Sequence, residues 1–364
     1  MRKPLAARFS AVAASLALLV GLAGCADVGY YWQSVSGHLA LMQAARPVDV
    51  WLADVDTPEK LKARLALTQK IRNFAVSELK LPDNASYQRY ADVRRKAVVW
   101  NVVAAPKLSL TLKTWCFPVA GCVGYRGYFS EAEARLEAES LKAQDFEVSV
   151  YGVPAYSTLG WSNWVGGDPL LSTFISYPEG ELARIVFHEL AHQVAYAPGD
   201  TGFNESFATA VERLGGARWL AAYGTETVKA EYAVFDGRRQ QFRALTRATR
   251  LRLLDIYESN ELLDGNKYAL TAMKLGVVDD FKAQYEQLKT GWNGYAGYDA
   301  WVKNANNASF GALAAYDDGV PQFEALFVQQ GGDWVKFFGT VQNLAKMTKE
   351  ERATALKVVS NKTI

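Results

Sequence analysis

The sequence is poor in the residue types that most often form a chemical site. It contains only three histidines and three cysteines in 364 residues. Its formal net charge is +2, and it has no dense block of lysine and arginine. Because nucleic-acid-binding proteins need a strongly basic surface, we exclude nucleic acid as the main partner.

Internal repeats, low-complexity linkers and long apolar runs are also missing from the chain after its first 25 residues. The N-terminus carries Arg2, Lys3 and Arg8, and an Ala/Leu-rich run from about 11 to 22 follows. This run is too short to cross a bilayer comfortably, and the charged start with an apolar centre is typical of a signal peptide. We therefore predict a signal peptide over residues 1–24, followed by a soluble body.

The end of this leader, Leu22-Ala23-Gly24-Cys25, resembles the lipobox of bacterial lipoproteins. The resemblance implies a mature protein that is held in the membrane by a lipid on Cys25, with residues 25–50 as the lipidated N-terminus and tether or first helix. Ala26 rather than an acidic residue follows the cysteine, which by resemblance to sorting signals favours the outer membrane, facing the periplasm, over the inner membrane. An ordinary cleaved signal peptide with a chance cysteine is the alternative.

The other two cysteines, Cys116 and Cys122, remain as a pair in a chain directed to an oxidising compartment. Pro118 and Gly121 lie between them and allow the chain to turn back. We predict a disulfide bond. A metal-binding role is the alternative, but two cysteines without nearby histidines make a poor metal site.

The first half of the chain contains patterns of both helices and strands. Thr57-Pro58-Glu59 predicts the start of a long amphipathic helix, because proline is favoured in the first helical turn. Alternating and β-branched residues predict strands over 97–103, 108–112 and 146–153. Ser130-Glu131-Ala132-Glu133 is a capping box, which predicts a helix that ends near residue 143.

From Pro178 onward almost the whole sequence has a helical pattern, with breaks that include Gly215-Gly216. The predicted fold class is therefore α+β, with a small N-terminal mixed sheet lobe and a mainly helical lobe. We predict a single domain over 51–360, in which the mixed lobe covers 51–175 and the helical lobe covers 176–360.

A group of arginines falls within the helical half. The group comprises Arg238, Arg239, Arg243, Arg247, Arg250 and Arg252. We interpret it as the solvated face of a helix rather than a binding surface, because apolar residues occupy the other turns.

The pattern most informative about chemistry is His188-Glu189-Leu190-Ala191-His192, within an apolar helical segment. In an α-helix residues i and i+4 lie on one face, so both imidazoles can bind one metal ion. Glu189 is rotated by one helical step, which places its carboxylate beside the metal as a general base. The alternative is a core helix with two satisfied histidines, but this would bury Glu189 without a partner at a cost of several kcal/mol.

A catalytic zinc ion needs a third protein ligand and one open position. The remaining histidine, His38, lies far upstream, so the third ligand is expected to be a carboxylate. After a break at Pro198-Gly199, a second helix begins near Asn204-Glu205 and can pack antiparallel on the first. Glu205 is the predicted ligand, whereas Glu212, two turns later, and Asn204 are candidates to support the ligands.

Several of these segments together carry a family resemblance. They are Cys116 to Cys122, Tyr125 to Tyr128, Tyr156 to Trp161, Asp168 to Leu171, His188 to Gln193, and Asn204 to Ala208. The HExxH helix followed by Asn-Glu-x-Phe-Ala resembles the gluzincin metallopeptidases, whose third ligand is that glutamate. The chain as a whole resembles the bacterial lipoproteins classed as predicted zinc aminopeptidases.

The predicted function is zinc-dependent hydrolysis of peptide bonds, with one Zn2+ per chain and Glu189 activating water. The resemblance implies an aminopeptidase on the periplasmic side of the envelope, with a peptide as substrate. The alternatives are a zinc endopeptidase or amidase acting on cell-wall peptides, and a non-catalytic zinc-containing scaffold lipoprotein. The sequence leaves the oligomeric state open.

Two further predictions concern the surroundings of the metal. A tyrosine is expected to stabilise the oxyanion, with Tyr316 as the first candidate and Tyr268 as the second, although a core or interface role is favoured for each. The segment from Tyr156 to Trp161 is expected to form either an edge strand that pairs with the peptide substrate or a plain core strand.

Overall fold

A computed structural model of the protein describes residues 28–117, 120–160, 163, 166–258, 266–317 and 319–361. The predicted leader and Cys25 lie outside these residues. The described residues form mainly helices, together with small sheets of two or three strands, which confirms the predicted α+β class.

The N-terminal half alternates helices with short strands. Helix α1 covers residues 28–44, and the elements after it are β1 (Arg46–Pro47), α2 (Val48–Ala53), α3 (Glu59–Ser77), β2 (Arg89–Ala91), β3 (Val99–Pro106), β4 (Trp115–Phe117), β5 (Gly121–Val123), β6 (Arg126–Tyr128), α4 (Glu131–Ala143), β7 (Phe146–Val153) and β8 (Leu170–Leu171).

The C-terminal half contains only helices among its described residues. They are α5 (Glu179–Ala191), α6 (Thr201–Tyr223), α7 (Glu226–Glu258), α8 (Lys267–Gly291), α9 (Asp299–Lys303), α10 (Asn307–Asp317), α11 (Val320–Gln329), α12 (Trp334–Ala345) and α13 (Lys349–Asn361). In the described part of the chain, no helix is long and apolar enough to cross a membrane.

The central sheet has the strand order β6-β3-β7 and is antiparallel. Strands β3 and β7 pair along their whole length, from Val99 opposite Val153 to Pro106 opposite Phe146. Helix α4 covers one face of this sheet through Ala134, Ala138 and Leu141, which pack against apolar residues of the strands. The end of the sheet at which Val99 pairs with Val153 lines the cavity described below.

Two predicted strands and two predicted helix starts in this half are confirmed. Strands β3 and β7 lie where the alternating patterns predict them, and α3 begins directly after Pro58. Ser130 caps α4, because its hydroxyl accepts a hydrogen bond from the backbone N–H of Glu133.

The strand predicted over 108–112 is wrong. The chain turns after β3, where Ser109 N–H donates to Pro106 O at 3.2 Å, and Lys113 N–H then donates to Ala104 O at 2.8 Å. Leu110 and Leu112 consequently pack against helices instead of pairing with a strand. Apolar residues alternate in this segment because one side of the loop is buried. Over five residues this alternation cannot be distinguished from that of a strand.

The main hydrophobic core surrounds α5 and α6. Phe187 on α5 and Phe207 and Trp219 on α6 are fully buried, with α3, α11 and α12 packed around them. A second core joins α7, α8 and α10 around Phe242 and Phe281. Helices α5 and α6 are therefore held on several sides, which fixes their mutual orientation.

The helix break predicted at Gly215-Gly216 is also wrong, because α6 runs continuously from Thr201 to Tyr223. A Cβ atom on Gly215 would lie 2.7 Å from Leu79 Cδ1, and one on Gly216 would lie 2.9 Å from Arg184 Cγ. These glycines allow close packing of α6 against its neighbours. Packing compensates for their low helix propensity.

Candidate metal centre and active-site cavity

The motif from His188 to His192 lies at the C-terminal end of α5. Pro178 precedes the helix, and Glu179 and Glu181 lie in its first turn, where carboxylates interact favourably with the helix dipole. His192 is the C-cap residue and keeps helical backbone angles, with φ −59° and ψ −21°. The two histidines therefore remain one turn apart on the same face.

Three side-chain atoms converge at this end of the helix. His188 Nε2 lies 3.2 Å from His192 Nε2 and 3.3 Å from Glu205 Oε2, while His192 Nε2 lies 3.8 Å from the same oxygen. A tetrahedral zinc ion with ligand bonds of about 2.0–2.1 Å would separate its ligand atoms by roughly 3.3 Å. The three groups could therefore hold a metal ion, and their spacing is compatible with zinc.

The chemistry of the donor atoms also fits a cation. His188 Nδ1 lies 3.0 Å from Glu212 Oε2, so the carboxylate accepts the Nδ1 proton. Burial lowers the pKa of His188, but the hydrogen bonds with Glu205 and Glu212 outweigh it and raise that pKa, so a cation that binds at Nε2 would displace a proton. Burial lowers the pKa of His192 to about 4, which favours the neutral imidazole that binds metals. Within the described residues, the buried Nδ1 atom of His192 has no hydrogen-bond partner, which leaves Nε2 as the nitrogen directed at the centre.

Glu212 is itself held by Arg184, whose side chain is only 4% exposed. The guanidinium donates to Glu212 Oε1 and lies 3.2 Å from both Asp236 Oδ1 and the Tyr232 hydroxyl. Burial alone would raise the pKa of Glu212, but the charge of Arg184 and the hydrogen bond with His188 outweigh it and lower that pKa. Glu212 is therefore an ionised, fixed acceptor for His188.

Glu189 lies beside the convergence point and is 9% exposed. Burial raises its pKa to about 8, and the nearby charges of Glu205 and Asp168 add to this effect against that of His188. A cation bound by the three ligand atoms would favour the ionised carboxylate instead. The Glu189 side chain lines the same cavity as the three candidate ligands.

The start of α6 fixes the position of Glu205. Asp200 caps the helix by accepting from Phe203 N–H at 3.1 Å, and Arg352 from α13 pairs with Asp200 at 2.6 Å. The Asn204 side chain forms two hydrogen bonds with the backbone of Ala197, at 2.8 and 2.9 Å. Asn204 thus holds the connector between the two helices that carry the candidate ligands, and its side-chain hydrogen bonds go to Ala197 rather than to those ligands.

The disulfide hairpin braces the same connector. Cys116 and Cys122 are joined by an S–S bond and lie opposite each other in β4 and β5. Gly121 has φ +73°, and a Cβ atom there would lie 2.4 Å from Gly199 N. Gly199 N–H donates to Ala120 O at 3.0 Å. The sequence indicated the bond but not that it supports the metal-binding helices.

A cavity of about 600 Å3 opens over the metal-binding atoms. Its walls come from the sheet through Val99, Asn101 and Val153, and from α1 through Tyr30. Helix α7 closes one end, and the disulfide hairpin contributes Phe117. The walls combine apolar and aromatic side chains with charged groups that include Glu181, Arg239 and Arg243, so the cavity can accept a polar organic substrate.

A family model described as putative aminopeptidase matches residues 29–356. The chain belongs to this family. Membership points to a peptidase, and hence to a hydrolase. No curated protein and no solved structure matches the chain.

One wall of the peptidase cavity is formed by an irregular loop, not by the strand predicted over 156–161. Leu159 and Gly160 have positive φ angles of 57° and 81°, which an extended strand does not allow. Asp168 holds the loop by accepting from Thr158 N–H at 3.0 Å and from Thr158 Oγ1 at 2.7 Å. Trp161, the last residue of the predicted strand, lies outside the described residues.

A buried polar network connects this loop to the metal-binding helix. Gln193, directly after His192, donates to Ser86 Oγ at 3.1 Å and to Asp168 Oδ2 at 3.4 Å, and accepts from Asn84 Nδ2 at 2.7 Å. The sequence reasoning assigned no role to these residues. The signal for Asp168 and Gln193 lay in the family-like segments that contain them.

The interpretation of the arginines as a solvated face is wrong for Arg239 and Arg243, which line the cavity. Arg239 pairs with Glu181 at 2.6 Å and with Asp236 at 2.8 Å. Arg247 and Arg252 are exposed, as the interpretation requires. Arg239 and Arg243 are four residues apart, so they lie on the same face of α7 and turn towards the cavity together.

The tyrosines at the cavity differ from those predicted. Tyr268 is 91% exposed on α8 and is not among the cavity-lining residues, and the side chain of Tyr316 lies outside the described part of the structure. Tyr125 and Tyr196 line the cavity instead. Burial raises the pKa of both hydroxyls, and the charge of Glu205 raises it further. Both hydroxyls are therefore protonated donors close to the metal centre.

Proposed function

We propose that this protein is a zinc-dependent aminopeptidase that works on the periplasmic side of the cell envelope. The observation that carries the proposal is the convergence of His188 Nε2, His192 Nε2 and Glu205 Oε2 beside the buried carboxylate of Glu189. Structural zinc sites usually have four protein ligands, whereas three ligands with a carboxylate beside them are typical of a hydrolytic site. Family membership supports the peptidase class.

The protein's own residues divide the chemical work. A zinc ion held by the three ligands would polarise the scissile carbonyl and make a water molecule more acidic. Glu189 takes the proton of the attacking water and passes it to the leaving amine. Tyr125 or Tyr196 donates a hydrogen bond to the developing oxyanion, a role that the sequence assigned to a tyrosine.

The supporting residues keep this geometry fixed. Glu212 and Arg184 orient the ring of His188, and Asn204 and Asp200 hold the start of the helix that carries Glu205. Mutation of such supporting residues typically lowers metal affinity or activity by about 10- to 100-fold. They would therefore matter for activity without touching the substrate.

A zinc endopeptidase or amidase acting on cell-wall peptides is the second candidate. An aminopeptidase needs a carboxylate for the substrate ammonium, and Glu181 lines the cavity outside the metal cluster. Glu181 is already paired with Arg239 at 2.6 Å, so an ammonium group would have to displace the guanidinium. The Glu181–Arg239 pair therefore favours cleavage at an internal bond, far from the free N-terminus of the substrate.

The deciding experiment combines zinc analysis with cleavage of a mixed peptide library by the full chain, by Glu189→Gln and by Glu205→Ala. We expect the parent and Glu189→Gln to hold about one zinc ion per chain. Loss of the base should lower cleavage by about 10²- to 10⁴-fold, whereas Glu205→Ala should lose both zinc and activity. Stepwise trimming from the N-terminus identifies an aminopeptidase, and internal cuts identify the second candidate.

Two results would contradict the proposal. Zinc in the parent without cleavage of library or cell-wall peptides would indicate a non-catalytic scaffold. Carefully prepared parent protein that binds no metal would remove the basis of the mechanism.

A further inference from the structure

Helix α1 has an exposed apolar face. The exposed side chains are Val28, Tyr31, Trp32, Val35 and Leu39, with exposed fractions of 68%, 43%, 73%, 54% and 53%. At 100° per residue these five positions fall within an arc of about 100°. Single exposed apolar residues are common on protein surfaces, but five on one helical face form a continuous surface that usually marks an interaction site.

Charged side chains are missing from this helix. Residues 28–44 include no Asp, Glu, Lys or Arg. A helix that faces water normally carries charged residues on its exposed side. The exposed face of α1 is therefore suited to a surface that is not water.

The opposite face of α1 is fixed to the body of the protein. Gln33 accepts from Phe129 N–H at 3.0 Å and donates to Gly127 O at 3.3 Å. A Cβ atom on Gly37 would lie 2.3 Å from the ring of Phe129, so the helix packs closely there. The exposed apolar face consequently cannot rotate inward to become buried.

The composition of the face fits a lipid bilayer better than a protein partner. Tryptophan and tyrosine prefer the membrane–water interface, where the ring is in apolar surroundings and its polar edge is hydrated. Val28 lies three residues after Cys25, the residue to which the lipobox resemblance assigns the lipid. A lipid there would hold the start of α1 within a few residues of the membrane surface.

We propose that the exposed face of α1 lies in the membrane interface as a second, non-covalent contact beside the predicted lipid anchor. A lipid anchor by itself leaves the orientation of the protein at the membrane free, and a second contact strengthens attachment and sets that orientation. Tyr30 lies on the inward face of α1 and lines the cavity. The contact therefore places the cavity wall that Tyr30 forms one helix diameter, roughly 10 Å, from the membrane surface, whether or not the cavity is a peptidase site.

The test measures the depth of Trp32. The full chain is reconstituted in vesicles of phosphatidylethanolamine and phosphatidylglycerol that carry brominated acyl chains, and the fluorescence of Trp32→Phe is subtracted from that of the parent. We expect the Trp32 emission to shift to shorter wavelength and to be quenched by the bromines. We expect Val35→Lys to relieve that quenching, whereas the control Val335→Lys, at a valine on α12 that is 64% exposed, leaves it unchanged.

Two outcomes would overturn the proposal. Trp32 emission that brominated lipids do not quench and that aqueous iodide does quench would show that the face remains in water. Trp32 that is shielded from iodide in the absence of vesicles would show that a second copy or the leader segment covers the face instead.

Discussion

Most helices bury apolar side chains and expose charged ones, and helices α1 and α5 depart from this pattern in opposite ways. Helix α1 exposes Trp32 and Val35 and carries no charged residue, whereas α5 buries Arg184 and Glu189 in the main core. Neither arrangement is stable without compensation, because exposed apolar area and buried charge both cost free energy. We propose that each helix is adapted to a partner other than the protein core. For α1 the partner is a lipid surface, and for α5 it is a cation.

The largest effect is expected when the buried charge of α5 is removed. Arg184→Met leaves Glu212 without its guanidinium, whereas Asp236 keeps its pair with Arg239, and the change should lower the free energy of unfolding by about 3–5 kcal/mol. The control is Arg213→Met, whose pair with Glu324 is 41% and 29% exposed and should contribute less than about 1 kcal/mol. Urea denaturation measures both variants, and equal losses would contradict the distinction.

The second prediction separates metal binding from stability. Glu212→Gln keeps a side chain that can accept from His188 Nδ1 but removes the charge, so zinc affinity should fall about 10- to 100-fold. Competition with a coloured chelator measures this affinity. Glu324→Gln, a partly exposed carboxylate on α11, is the control and should leave it unchanged. A normal zinc affinity in Glu212→Gln would mean that the pair with His188 is only structural.

The third prediction concerns the space that α6 leaves for Arg184. A Cβ atom on Gly216 would lie 2.9 Å from Arg184 Cγ, so Gly216→Ala should destabilise the protein by about 1–3 kcal/mol. Gly276 on α8 has no heavy atom within 4 Å of the added Cβ, and Gly276→Ala should stabilise by about 0.5–1 kcal/mol. Thermal unfolding gives the sign of each change, and the same sign for both would refute the packing argument.

The smallest effect is expected on the exposed face of α1. Trp32→Ser should change the free energy of unfolding by less than about 0.5 kcal/mol without lipid, because the side chain is 73% exposed. Trp219→Ser removes a fully buried ring and should cost at least about 3 kcal/mol. A large loss in Trp32→Ser would show that the body needs this side chain, and the membrane role would lose its support.

Much of the fold and of the metal-binding ligand set could be read from local sequence. The capping box at Ser130, strands β3 and β7 and the helical second half follow from patterns within about ten residues, and His188 and His192 are placed together by helix geometry alone. These features depend on contacts between near neighbours in the chain, which a sequence pattern records directly.

The remaining features depended on residues far apart in the chain. Gly215 and Gly216 sit inside a helix because Leu79 and Arg184 pack against them, and the segment 108–112 turns because helices cover its leucines. No local pattern contains these contacts, so propensity and periodicity predicted a break and a strand instead.

The sequence by itself determined the α+β class, the HExxH helix and the choice of Glu205 as the third candidate ligand, because helical spacing and ligand chemistry are local properties. Only the tertiary structure decided that Arg184 holds Glu212 beside His188, and that Arg239 and Tyr196 face the cavity. It also decided which face of α1 remains exposed. The physical reason is that burial and pairing are set by elements distant in sequence, whose approach only the folded chain defines.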